Sequence, residues 1–155
     1  MPLCTLKAKL KKMTVMNNKA RDFHYLVNVL EYVSYGSPSN RKKVGAIIVN
    51  NNGFICGQGF NSMPRFAASQ KCEDANGKTK PEVVHAEARA ICMAARDGVK
   101  TEGTTLYCTI PPCPSCCQLL IEAGIKRVVY KETYWSENNI HLLLEAGIET
   151  LKFAE

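Results

Sequence analysis

VGAIIVNNNGFICGQGF, residues 44–60, decides what kind of sheet this chain builds. Residues 44–49 form a continuous β-branched apolar run, the pattern of a strand buried on both faces. Asn50-Asn51-Asn52-Gly53 is strong turn chemistry, and residues 54–60 follow as a second strand, so the stretch reads as a hairpin. Towards the N-terminus lies a polar loop, SPSNRKK at 37–43. Before it, DFHYLVNVLEYVSY at 22–35 places Phe23, Leu26, Val27, Leu30 and Val33 at three- and four-residue spacings. That spacing predicts an amphipathic helix, opened by Asp22 and ended by Gly36. Towards the C-terminus, residues 61–80 are rich in Ser, Pro, Asn, Gly and Lys and read as a long functional or mobile loop. A helix is expected over 85–96, with Ala88, Ile91, Cys92 and Ala95 facing inward. Residues 104–109 are a strand broken by Pro111 and Pro112. A helix from Pro114 to Ala123, a strand at 127–130, a helix over Asn138–Ala146 and a short strand at 149–153 complete the chain. The order α-ββ-α-β-α-β-α-β belongs to the α/β class. Its strands should share one sheet with helices on the faces, and ligands should bind outside strand ends.

The 155 residues fit one domain, and 46% apolar with 22% charged residues is a folded globular composition. No apolar run is long enough for a membrane span. The first twenty residues lack an uninterrupted apolar block and a small-residue cleavage site, so no secretory signal is expected. A cytoplasmic, reducing compartment follows, in which the eight cysteines are thiols, metal ligands or redox groups. The net charge of +6 is uneven: residues 1–20 hold five lysines and no acid, leaving 15 basic against 14 acidic residues. The chain thus divides into a basic arm, 1–20, and a domain, 21–155. The arm is either a solvated tail or a contact for nucleic acid or a partner subunit. The near-neutral body does not offer the broad positive face of a nucleic-acid groove.

Of the three histidines, His24 and His141 have no ligand-type partners nearby in sequence. His85 opens a helix in V-V-H-A-E, with Glu87 two positions on, and Cys113 and Cys116 follow in P-P-C-P-S-C at the next helix start. A C-x-x-C pair at a helix N-terminus can aim both sulfurs at one ion, and the helix end favours thiolate. One imidazole and two thiolates leave tetrahedral zinc an open position for water, the pattern of a catalytic site. A carboxylate bordering that position, Glu87, can take and return a proton. The order H-x-E…P-C-x-x-C is the signature of zinc nucleobase deaminases. Two other readings of the cysteines stay open: a redox dithiol, and a closed zinc site with Cys108 or Cys117 as fourth ligand.

From about residue 22 to 153 the chain resembles the deoxycytidylate (dCMP) deaminase family, within the cytidine deaminase-like zinc enzymes. The likeness rests on SPSNRKKVGAIIV (37–49), GFNSMPR (59–65), HAEARAI (85–91), TLYCTIPPCPSC (105–116) and GIKRVVYKETY (124–134). The resemblance implies a three-layer α/β/α sandwich around a five-stranded mixed sheet. It implies zinc held by His85, Cys113 and Cys116, a proton shuttle at Glu87, and hydrolysis of dCMP to dUMP and ammonia. It places Asn61 and Ala86 against the nucleotide and makes Lys43, Arg65 and Arg89, with Arg41, candidates for the 5′-phosphate. Tyr107 and Tyr130 are candidates to stack on the base, with core packing as the competing reading. It further implies a homo-oligomer, a hexamer first, with dCTP and dTTP as effectors and Mg²⁺ accompanying the effector nucleotide. The same zinc core could instead serve another cytosine nucleotide, such as dCTP or a modified dCMP, or a base within a polynucleotide or tRNA. Ser62 stands where the family usually has Gly, and Arg89 where it has Asn. No histidine lies between His24 and His85, so the second, structural zinc of some members is not expected here.

Overall fold

The computed structural model describes residues 22–131 and 139–153; the basic arm, and Asn138 at the expected start of the last helix, lie outside them. Five strands, β1 (Gly45–Val49), β2 (Ile55–Phe60), β3 (Thr105–Cys108), β4 (Arg127–Tyr130) and β5 (Glu149–Lys152), form one sheet in the order β2-β1-β3-β4-β5. β1 is antiparallel to both neighbours, while β3, β4 and β5 are parallel. The sheet is therefore mixed. The parallel half is connected through α3 (Pro114–Glu122) and α4 (Ile140–Glu145), and α2 (Ala86–Arg96) links β2 to β3. A first helix, α1, spans 22–35 and ends in a turn at Gly36.

Strand periodicity sorts the core into two layers. Ala46, Ile48, Leu106, Cys108 and Val128 face α2, α3 and α4, whereas Ile47, Val49 and Val129 face Leu26 and Leu30 of α1. Residues two apart on a strand share a face, so each strand feeds both layers, which is why β1 is apolar without alternation. Lys131 Nζ donates to Glu31 Oε1 at 2.7 Å and pins α1 to the end of β4.

The inward face of α2 differs from the sequence expectation. Its buried positions are Ala86, Glu87, Ala90 and Ala94, and Cys92 is exposed. The cause is in β2. A Cβ on Gly57 would come within 2.6 Å of Ala90 O, and one on Gly59 within 2.5 Å of Ala86 O. The glycines let strand and helix backbones nearly touch, and only the alanine stripe at four-residue spacing fits there. Tyr130 is a core residue, and Tyr107 is half-buried and packs against the core. Tyr107 lies in the α1 layer, 6.3 Å from the Phe23 ring, and Tyr130 is buried in the other layer.

Part of the long 61–80 segment is folded as well. Asp74 N donates to Lys78 O at 2.9 Å, Asp74 Oδ1 accepts from the amides of Asn76 and Lys78, and Gly77 takes a φ of 74°. This is an Asp-led turn closed by Asn-Gly chemistry. It carries Glu73, which is buried. Glu73 Oε1 accepts from Ser39 Oγ at 2.8 Å, Asn40 N at 3.0 Å and Arg41 N at 3.3 Å, while Oε2 has no hydrogen-bond partner. The Ser39 hydroxyl, chiefly, holds the carboxyl below its usual range. A depressed carboxyl adds stability above its unfolded pKa and loses it as pH falls through the folded value. The melting temperature should therefore drop as pH is lowered past about 4.3, the ordinary glutamate value. In Glu73→Gln the drop should be shallower, starting from a lower melting temperature at neutral pH. Parallel acid limbs for the two proteins in calorimetry would show that Glu73 contributes nothing there.

Candidate active site

The chemistry gathers at one end of the sheet, where β2 and β3 finish and antiparallel β1 begins. Two helices start there. His85 is the N-cap of α2 (φ −69°, ψ 152°) and Cys113 the N-cap of α3 (φ −71°, ψ 168°), and neither helix has a side-chain cap hydrogen bond. Pro114 takes the first position of α3, where its missing N–H costs nothing. Cys116 follows in the same first turn. Both helix ends thus bring partial positive charge to one point.

His85 Nδ1 lies 3.4 Å from Cys113 Sγ and 3.4 Å from Cys116 Sγ. The three ligating atoms all fall within 4.8 Å of one another. Two soft sulfurs and one imidazole at that separation fit a zinc-type cation, and among the described residues this is the group of side chains that could hold a metal. The Cys113 thiol is drawn down to about 4, first by the hydrogen bond from Cys116 and then by His85. Cys116 is pushed up, chiefly by its hydrogen bond with Cys113 and by burial. His85 is raised, chiefly by its hydrogen bond to Cys113. Cys108 and Cys117 stand apart from this group. Cys108 Sγ donates to Val129 O, and Cys117 Sγ to Pro112 O and Asn139 O. Burial pushes both thiols up, Cys117 to about 11, and neither sulfur joins the cluster formed by His85, Cys113 and Cys116.

Glu87 sits in the first turn of α2, 4% exposed. On a regular helix it points about 200° away from His85, yet both border one cavity of about 550 Å³ because His85 is still in extended backbone. Burial pushes the Glu87 carboxyl up, against the pull of its own backbone N–H and of His85. A raised carboxyl is a better base, holding a proton more readily than an exposed glutamate does.

Asn61 and Ala86 line the same cavity, together with Val44, Thr79, Val83, Ile110 and Asn139. The last five escaped sequence reasoning, since they are apolar or neutral residues that only the fold brings to one wall. Asn61 Oδ1 accepts from Val44 N at 2.8 Å, and its Nδ2 donates to Lys42 O at 2.9 Å, so this amide braces the entry to β1. Lys43 directs its ammonium to Ser37 O, and Ser37 Oγ in turn donates to Asn61 O. Arg65 and Arg89 are not brought to this cavity. They line a separate groove along α2 with Tyr32, Phe60, Met93 and Arg96. Arg41 is nearer the centre, with Nη1 donating to Thr79 Oγ1 at 3.3 Å.

A mixed sheet ending in two convergent helix starts, with an imidazole, two thiols and a buried carboxylate at their meeting point, is the donor arrangement of the zinc nucleobase deaminases. Residues 19–132 match the cytidine and deoxycytidylate deaminase zinc-binding region, and the chain belongs to that family. Among its relatives, the deoxycytidylate deaminase of Pongo abelii is 32% identical over 157 residues, covering 91% of this chain and 87% of that protein. The deoxycytidylate deaminase of Enterobacteria phage T4 is 38% identical over 97 residues, 58% of this chain and 48% of its own length. The chain spans about half the length of the T4 and T2 phage relatives. The dCMP deaminase of cyanophage S-TIM5, solved in complex with dCMP and dUMP, superposes with a TM-score of 0.81. It is 35% identical, and the match covers 84% of this chain and 95% of that one.

Proposed function

We propose that this protein hydrolyses dCMP to dUMP, releasing ammonia. The observation that carries the reading is the meeting of His85 Nδ1 with two cysteine sulfurs, each at 3.4 Å, on a cavity that Glu87 also borders. The likeness to the cyanophage enzyme solved with dCMP and dUMP supports the choice of nucleotide. His85, Cys113 and Cys116 would hold a Zn²⁺ ion, which would supply Lewis-acid activation of the attacking water. Glu87 takes one proton of that water and delivers it to ring N3 as the oxygen adds to C4. It then carries the remaining hydroxyl proton to the exocyclic amino group, so that the C–N bond breaks, ammonia leaves and the C4 carbonyl forms. Val44, Val83 and Ile110 keep bulk water from the base. Asn61 and the start of α2 at Ala86 orient sugar and base. For the 5′-phosphate, Arg41 and Lys43 come ahead of Arg65 and Arg89, because Arg41 bonds Thr79 of the cavity wall and Lys43 is tied through Ser37 to Asn61.

The catalytic unit is residues 21–155, with 1–20 as an appended arm in a cytoplasmic setting. A homo-oligomer, hexameric by family likeness, fits the exposed Tyr32 and Tyr35 beside the α2 groove. The cationic Arg65 and Arg96 of that groove suit a dCTP or dTTP effector carrying Mg²⁺.

The test is ammonia release from a panel of cytosine nucleosides, monophosphates and triphosphates, with and without dCTP and dTTP. The highest kcat/KM is expected with dCMP, and deletion of residues 1–20 should leave it in place. No release from any cytosine nucleotide by zinc-loaded protein would overturn the reading. Release only from DNA or RNA, lost with the arm, would favour a polynucleotide substrate instead.

A further inference from the structure

Arg89, like Ser62, departs from the family pattern, and its fork is already occupied. It lies one turn after His85, with its own N–H donating to His85 O at 3.0 Å. Its Nε donates to Phe60 O at 3.1 Å, and Nη2 donates to Met63 O at 2.9 Å and Ser62 O at 3.4 Å. The guanidinium also lies over the Phe60 ring, 5.9 Å from its centroid. These three carbonyls bracket Asn61 on both sides. Ser62 is tied in turn to the strand-like approach of α2, since Ser62 N donates to Val84 O and Val84 N to Ser62 O. The side chain therefore faces the backbone of the β2 exit and not the nucleotide cavity.

We propose that Arg89 is a positioning residue that holds the Asn61 edge of the cavity in register with the helix bearing His85 and Glu87. The proposal rests on the nucleotide reading given above. A planar guanidinium presents several donors in fixed directions and can chelate carbonyls that diverge around one residue. An ammonium on a flexible stem offers no such fork, and an alanine none at all. The carbonyls link the loop to α2 directly, so a shift of α2 and a shift of Asn61 become one movement. Asn61 transmits this order further, because its amide grips Val44 N and Lys42 O at the other rim. Arg89 thus controls how well the rim is preorganised for the nucleotide, while the reacting atoms stay under Glu87 and the metal ligands.

The experiment compares wild type, Arg89→Ala and Arg89→Lys in the full chain. The readouts are dCMP kinetics, dUMP affinity, zinc content and amide hydrogen exchange at Val44 and Ser62. Arg89→Ala should raise KM and weaken dUMP binding about tenfold, the loss of a charged hydrogen-bond anchor. Its kcat should stay within about threefold and its zinc content should be unchanged. Exchange at Val44 and Ser62 should quicken, and Arg89→Lys should fall between the two proteins. Unchanged exchange in both variants overturns the proposal, as does a fall in kcat at constant KM or a loss of zinc. Exchange is read without substrate, so it decides the role of Arg89 even if wild type proves inactive on dCMP. Should Arg89→Ala not fold, Arg89→Lys alone must still show raised KM and faster exchange.

Discussion

Glu87→Gln should release ammonia from dCMP at least about a hundredfold and up to about ten-thousandfold more slowly than wild type, the range for removing a positioned general acid–base group. Zinc content should be unchanged, because Glu87 is not one of the three clustered donors. Glutamine keeps the shape and burial of the side chain but can neither accept the proton of the water nor return it. The carboxyl is 4% exposed and borders the cavity, so no solvent base has an equally short path to the same atoms. Glu87→Ala should fall as far, which separates proton transfer from packing. The measurements are steady-state ammonia release and metal analysis on the same samples. Turnover that survives in the glutamine variant would remove Glu87 from the mechanism.

Loss of a metal ligand should be as severe, with a different signature. Cys116→Ser should lose most bound zinc and all measurable turnover, and its melting temperature should fall. Removing zinc from wild type with a chelator should do the same, reversibly on adding Zn²⁺. A ligand that binds only the folded state adds RT ln(1 + [L]/Kd) to its stability, so stripping it exposes that difference. Serine is nearly the size of cysteine but ionises far less readily and is a harder donor, so it cannot replace a thiolate that the helix end helps to form. Cys116 is 2% exposed, and the vacated site would also leave His85 and Cys113 with only each other. Cys117→Ser provides the contrast: its thiol donates to backbone carbonyls, and zinc should remain. Full activity in metal-stripped protein would dismiss the centre.

The elements with local signals were legible before any coordinates. α1 followed from apolar spacing between Asp22 and Gly36, the β1–β2 hairpin from Asn50–Gly53, and the ligand set from its placement at two helix starts. The failures have a common physical source. The inward face of α2 was set by Gly57 and Gly59 on another element, so the pattern within the helix pointed to the wrong stripe. Arg89 was read by its charge as a phosphate ligand, but carbonyls more than twenty residues away in sequence claim its donors. The cavity wall of Val44, Thr79, Val83, Ile110 and Asn139 is assembled from four separate segments of chain, which no local pattern relates to one another. For Tyr107 and Tyr130, open in the sequence between base stacking and core packing, the strand positions settle on packing.

Two helices here open on an imidazole and a thiol instead of the hydroxyl or carboxamide that ordinarily ties down a first turn, a substitution worth about 0.5–2 kcal/mol at each end. A cation held by both residues would fasten both openings at once. Loading the centre would then also tighten the fold, and a cell short of the ion would hold a chain loosened at the very place where its chemistry is meant to occur.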